Sequence, residues 1–392
     1  MKPVARLTRL ALVASVAAAF GIAQAKDLTI GLIMPMSGPF AAHGKQVKNG
    51  IDLYLAEHGD TVAGRKVKLI VKDDTGIAPA VAKRHAQELL VKDKVDVLAG
   101  FTLTPNAFSV APLATQGKVP MVVLNAATSS VTEKSPNIVR VSMTLQQDAA
   151  PMARWAWENG VKSAYTLVSD YGPGHDAESA FQSTFKGLGG KIAGEVRTPV
   201  NTPDYAPFLQ RVLDAKPDAV FFFVPNGEDG VALAKGYKER GLEKAGIKAL
   251  ATGDVTDEEE LAAMGDAALG MITSFHYSQA HDSPENKAFV AAYAKAYPKD
   301  RPNFQAVAGY DGMHLIYSVL EKTQGDAGVD AFIGAAKGMK WVSPRGPIEI
   351  DPQTRDIIQN VYIRKVEKVD GVLQNVEFAT YEAVKDPGKA GK

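Results

Sequence analysis

Apolar residues recur along the chain in two alternating rhythms. LTIGLIMPM at 28–36 is a largely apolar run of strand length, and KQVKNGIDLYLAEHG at 45–59 then places Val47, Ile51 and Leu55 at helical spacing. VKLIVKDD (67–74) alternates like a strand, and AVAKRHAQELLVKDK (80–94) reads as a helix with a charged face. The order repeats through VDVLAGF, the helix PNAFSVAPLATQG and the strand VPMVVLNA. After a break at 137–147, AAPMARWAWENG begins a second series. It runs through the strands SAYTLVSD (163–170), KIAGEVRTPV, DAVFFFVP (218–225) and IKALATGD (247–254), with helices between them. Strand and helix in strict alternation predict parallel sheets covered on both faces, hence two successive α/β units over roughly 27–145 and 146–273.

The last third is less regular. GMITSFHYS (270–278) is strand-like, while Pro284–Tyr297 and Phe304–Thr323 carry helical patterns. Strands are predicted at Ile348–Ile350, Ile357–Lys365 and Val372–Tyr381, with Val369-Asp370-Gly371 as a hairpin turn. This material cannot form a third α/β unit and is expected to complete the first two. The closing DPGKAGK is polar, and 387–392 is expected to be a flexible tail.

A chain of 392 residues is too long for one ordinary core, in keeping with two units. Residues 1–25 differ from the rest. Lys2, Arg6 and Arg9 precede an apolar stretch from Leu10 to Ile22, and Ala23-Gln24-Ala25 follows as a cleavage pattern, the order of a secretory signal peptide. Lys plus Arg and Asp plus Glu both number 44, so removing the three basic leader residues leaves −3. That balance argues against a nucleic-acid partner. There are no cysteines, which excludes a lipid-anchored N-terminal cysteine, a thiol nucleophile and a thiolate metal site. A periplasmic location without a lipid anchor is expected.

The search for catalytic chemistry finds no G-x-S-x-G elbow and no P-loop. GLGGK at 187–191 sits at a helix end, as a cap would. His276 and His281 are five apart in a strand-to-loop segment, where helical metal pairs stand four apart. Asp73-Asp74 reads as a polar strand end. No enzyme activity, cofactor or metal is expected.

The strand ends are more informative, because ligands of open α/β sheets bind outside them. VLAGFTLTPNAFSVAPLA (97–114) and VPMVVLNAATSS (119–130) both end apolar runs in small hydroxyl residues. Thr104, just before a helix, and Ala126 and Thr128 after the next strand suit an anion held by backbone and hydroxyl donors; helix capping alone is the competing explanation. In the second unit, Tyr171 follows a strand in a Gly/Pro-rich turn and is either a buried turn residue or a ligand contact. Asp254 follows another strand. It is either a turn aspartate or, opposite an anion site, the partner of an ammonium group.

With these segments assembled, the sequence resembles the periplasmic leucine/isoleucine/valine-binding proteins, the substrate-binding components of branched-chain amino-acid-type ABC importers. The resemblance covers about 27–385 and is carried by IGLIMPMSGPFAAHGKQVKNGIDL, VKLIVKDD, the two hydroxyl-rich strand ends and SDYGPGHDAESAFQSTFKGLGGKI. It implies the type I periplasmic binding protein fold: two Rossmann-like α/β lobes with parallel central sheets joined by three crossovers. Lobe 1 would comprise 26–145 plus 275–353, and lobe 2 would comprise 146–274 plus 354–386.

By the same resemblance, Thr104, the Ala126 backbone and Thr128 would hold a ligand carboxylate. Tyr171 would reach in from lobe 2, Asp254 would receive an α-ammonium group, and Tyr310 would line the side-chain pocket. His43 stands where the family often has an aromatic residue against the ligand, and FFFVPNGED lacks the tyrosine of amino-acid binders. The implied function is capture of a small carboxylate, a branched-chain or related amino acid, by a monomer that delivers it to an inner-membrane ABC permease. The alternatives are an aromatic carboxylate of the benzoate or cinnamate type, a ligand sensor in the periplasm, and an exported α/β hydrolase.

Overall fold

The computed structural model describes residues 26–390; the leader expected at 1–25 lies outside the described residues. The first sheet contains β1 (Leu28–Met34), β2 (Thr61–Val62), β3 (Arg65–Asp73), β4 (Val97–Gly100), β5 (Met121–Val123) and β6 (Ile138–Arg140), in the order β2-β3-β1-β4-β5-β6. All neighbours are parallel except the β2–β3 hairpin. Helices α1 (Ala41–His58), α2 (Pro79–Val91) and α3 (Thr104–Gly117) link the strands. Sequence and structure agree closely here because the central strands β1, β4 and β5 are buried on both faces, while β3, beside the short edge strand β2, begins in alternating buried and exposed residues. β6, within the expected break, is only three residues long and carries little periodic signal.

The second sheet begins after α4 (Leu145–Glu158). It contains β7 (Ser163–Ser169), β8 (Lys191–Thr198), β9 (Ala219–Phe223), β10 (Lys248–Thr252) and β11 (Ile272–Phe275), with α5 (Gly172–Gly187), α6 (Ala206–Ala215), α7 (Glu228–Glu239) and the short α8 (Leu261–Met264) between them. These strands run parallel in the order β11-β10-β9-β7-β8. The chain then forms α9 (Pro284–Ala296), α10 (Phe304–Lys322), α11 (Val329–Ala336) and the strands β12 (Lys340–Ser343), β13 (Gly346–Ile350), β14 (Ile357–Val369) and β15 (Val372–Val384).

This last third is shared between the lobes. Residues of α10 and α11 pack into the core of the first sheet with Val47 and Ile51 of α1. β14 joins the second sheet antiparallel to β11, and β15 folds back on it through the Asp370-Gly371 turn, both residues at positive φ. The hairpin β12–β13 divides its allegiance: β13 hydrogen-bonds to β14, while Ile348 and Ile350 lie in the first lobe's core.

Buried side chains tie the three crossovers together. Arg345 donates to the carbonyls of Ser142 (2.8 Å) and Val141, and Gln359 Nε2 also donates to Ser142 O at 3.0 Å. Arg364 donates to Tyr277 O on the second crossing.

The expectation of a flexible tail is overturned at 387–390. Pro387–Lys389 forms a 3-10 turn, and Lys389 is only 6% exposed, its ammonium bonded to Asp356 and Thr132. Composition alone reads this segment as polar and solvated. What anchors it are the Asp356 carboxylate, 33 residues away, and the Thr132 hydroxyl, 257 residues away, which no local pattern reveals.

Candidate ligand-binding site

In each sheet, strands from the two halves diverge around a switch point: β1 sits between β3 and β4, and β7 between β8 and β9. Such points open a crevice at the carboxyl ends of the strands. A narrow, nearly closed cleft with a cavity volume of about 20 Å³ is lined from both sheets at these ends. His43 follows β1, Thr102 and Thr104 follow β4, and Asn125 and Ala127 follow β5. From the second lobe come Tyr171 and Pro173 after β7, Phe223, Pro225 and Asn226 at the end of β9, and Asp254 after β10. Met143 and Leu145 line it from the first crossover.

The first lobe supplies neutral polar groups. Thr104 opens α3, and its Oγ1 accepts a bond from Thr128 N at 3.4 Å. Asn125 donates to Thr102 O at 3.0 Å. The atoms Thr102 Oγ1, Asn125 Oδ1 and Thr128 Oγ1 are buried without a hydrogen-bond partner among the described residues. Buried orphans of this kind normally have a partner, so they mark where a polar ligand group gains most. No Lys or Arg lines the cavity among the described residues.

The turn carrying Ala126 and Thr128 is held from behind. Arg140, fully buried, donates to the carbonyls of Ala126 (2.9 Å), Thr128 (2.8 Å) and Ser129 (3.2 Å).

From the second lobe, Tyr171 caps α5 and stacks on Phe223 with ring centroids 6.1 Å apart. Burial, reinforced by Asp254 and Asp229, pushes its hydroxyl well above the ordinary phenol value, so it stays protonated. Gly172 beside it is a close approach between lobes: a Cβ there would stand 2.7 Å from Thr128 Oγ1. Asp254 is 6% exposed and accepts from Thr252 Oγ1 at 3.0 Å. Burial raises its carboxyl to about 7, with the Thr252 bond and Arg364 acting in the opposite sense. His43 Nε2 lies 3.3 Å from Asn226 O across the lobes, and burial lowers the imidazole to about 4.

His43, Thr104, Tyr171 and Asp254 therefore meet in one cavity. Ala126 and Thr128 lie next to it but do not line it. Ala126 N–H is taken by Phe101 O at 2.9 Å inside the lobe, and Ala127 faces the cavity instead. Tyr310 stands elsewhere. Its hydroxyl donates to Glu57 at 2.7 Å and its ring packs edge-on against Tyr54, placing it between α1 and α10. Sequence reasoning gave no role to Phe223, although it ends the apolar run FFF. Met143 and Leu145 sit on a crossover whose path no local pattern locates. Of the other candidates, His276 faces Asp148 and His281 bonds Glu377, while Asp73 and Asp74 bond Ser37 and Asn106 within the first lobe.

The periplasmic binding protein family model matches residues 27–371. A Leu/Ile/Val-binding protein homolog of Brucella melitensis is 47% identical over 390 residues, covering 99% of both chains. A solute-binding protein of an ABC transporter from Rhodopseudomonas palustris BisB5, solved with 3,4-dihydroxybenzoic acid, is 56% identical with a TM-score of 0.89, covering 93% of this chain and 99% of that one. Another from strain HaA2, solved with p-hydroxybenzoic acid, is 49% identical with a TM-score of 0.91, covering 94% of this chain and 100% of that one. Two lobes wound around parallel sheets, a cavity between their strand ends and a family match over most of the length converge: the chain belongs to the periplasmic binding protein family, as a type I binding protein of ABC transporters.

Proposed function

We propose that the protein captures a benzoate-type aromatic carboxylate bearing a ring hydroxyl, in the periplasm, and delivers it as a monomer to an inner-membrane ABC permease without chemical change. The observation that carries this reading is the pair of solved relatives at 49–56% identity, both holding hydroxybenzoates. The cavity is compatible in chemistry. Phe223, Pro225, Met143 and Leu145 offer flat apolar walls for a ring, between one polar end at Thr102, Thr104 and Asn125 and another at His43 and Asp254. The carboxylate belongs at the first end, held by neutral hydroxyl and amide donors beside Thr128, with the Tyr171 hydroxyl closing over it.

The hydroxyl belongs at the second end. A carbonyl can only accept, so His43 Nε2–H donates to Asn226 O, and in the neutral ring Nδ1 is then a bare acceptor. That atom has no partner among the described residues, and a phenol O–H satisfies it. In this assignment the two lobes correspond to 26–145 with 275–353 and to 146–274 with 354–386.

A second reading is an amino-acid ligand, favoured by Asp254 as an ammonium partner and by the name of the Brucella relative. A thermal-shift comparison decides between them, since saturating ligand at 100 times its Kd adds about 2.7 kcal/mol. The aromatic reading expects stabilisation by 4-hydroxybenzoate and 3,4-dihydroxybenzoate and none by leucine, isoleucine or valine; the reverse pattern overturns it.

A further inference from the structure

Lys389 is an unusual residue to find buried. Its ammonium is bonded to Asp356 and to Thr132 Oγ1, and burial lowers its basicity below that of a free lysine. Asp356 also binds Arg140, with the guanidinium Nε at 2.8 Å and Nη2 at 2.6 Å. Arg140 in turn spends its remaining donors on the carbonyls of Ala126, Thr128 and Ser129. The three charged groups form a continuous buried chain from the segment after β15 to the turn beside the ligand cavity.

Ser129 closes the circuit from the other side. Its hydroxyl donates to Asp386 Oδ2, three residues before Lys389, and its N–H donates to Asp176 Oδ2 of α5 at 2.6 Å. One residue of the turn is thus gripped by the same segment, by Arg140 and by the second lobe.

We propose that Lys389 is a positioning residue of the binding site: through Asp356 and Arg140 it holds the 126–129 turn in the geometry that receives the ligand carboxylate. The alternative is that it merely seals a surface. The geometry opposes this, because a sealing lysine would keep its ammonium in water, whereas this one is inserted beneath the turn. Removing the ammonium leaves Asp356 to pair with Arg140 alone and frees the guanidinium to turn toward it, away from the three carbonyls. The inference rests on the proposed carboxylate end of the cavity.

The test compares wild type with Lys389→Met and Thr132→Val, the latter removing a hydroxyl that bonds both the ammonium and Asp356 (3.1 Å) while keeping all three charges. Lys385→Met, on an exposed lysine of the same segment, is the control. Titration calorimetry with 4-hydroxybenzoate and with 4-hydroxybenzamide, which lacks the anionic group, gives the acid-to-amide preference. Both variants are expected to bind the acid about tenfold more weakly, narrow that preference, and lose amide-exchange protection across 126–129, with the control unchanged. Equal weakening of acid and amide, or unchanged affinity in Thr132→Val with exchange unaltered, overturns the proposal. Should wild type bind neither compound, the ligand reading fails instead, and exchange at 126–129 alone decides the role of Lys389.

Discussion

His43 of the first lobe and Asn226 of the second face each other across the cleft, Nε2 to carbonyl oxygen, at 3.3 Å. One ring nitrogen thereby bridges the lobes and the other is left as an acceptor. Replacing His43 with Phe keeps the size and the edge-on packing against Phe40 but deletes both functions. The expected outcome is weaker binding of both ligands as the bridge is lost, with a further loss of roughly 1–2 kcal/mol for 4-hydroxybenzoate over benzoate, measured by calorimetry. An unchanged ratio between the two ligands removes His43 from ligand selection.

Thr104 and Thr128 are expected to weaken binding without unfolding the protein when changed to Ala and Val. Thr104→Ala should lose about 1–3 kcal/mol as a hydrogen bond to a charged group, and Thr128→Val, beside the cavity, less. Affinity equal to wild type in both variants misplaces the carboxylate.

Gly172 tests closure. Its missing side chain lets α5 approach Thr128, so Gly172→Ala should raise Kd by about tenfold or more through a contact of 2.7 Å, and combining it with Thr128→Ala should cost less than the sum of the two single losses. Independent, additive effects in the double variant contradict the idea that these two positions meet in the liganded state.

Asp254 makes a pH prediction. Its folded value of about 7 lies above the ordinary 3.8, so between these limits the native state holds a proton that the unfolded chain has released. That group therefore lowers stability as pH rises from about 4 to 7. Asp254→Asn lacks this penalty. Its unfolding free energy relative to wild type should improve over that range, by up to ~4 kcal/mol, and level off above it. Parallel stability curves for the two proteins contradict the assignment.

The alternating strands and helices of both lobes, and the hydroxyl-rich ends of β4 and β5, were legible because local periodicity and strand-end chemistry specify them. Thr104, Tyr171 and Asp254, which follow strands, line one cavity together with His43, which only the family resemblance singled out. What stayed hidden depends on long-range placement. Ala126 spends its amide on Phe101, Tyr310 turns to Glu57, and Met143 and Leu145 reach the cavity only through the path of a crossover. Lys389 belongs to the same class, since its anchors Thr132 and Asp356 are distant in sequence and its own segment is polar throughout.

A crystal structure of the protein grown with 4-hydroxybenzoate tests the central claim most directly. The account predicts the ring between Phe223 and Leu145, the carboxylate within hydrogen-bonding distance of Thr104 or Thr128, and the hydroxyl at the His43 and Asp254 end. A ligand bound outside the interlobe cleft, or lying in it with its carboxylate against Asp254, would contradict it.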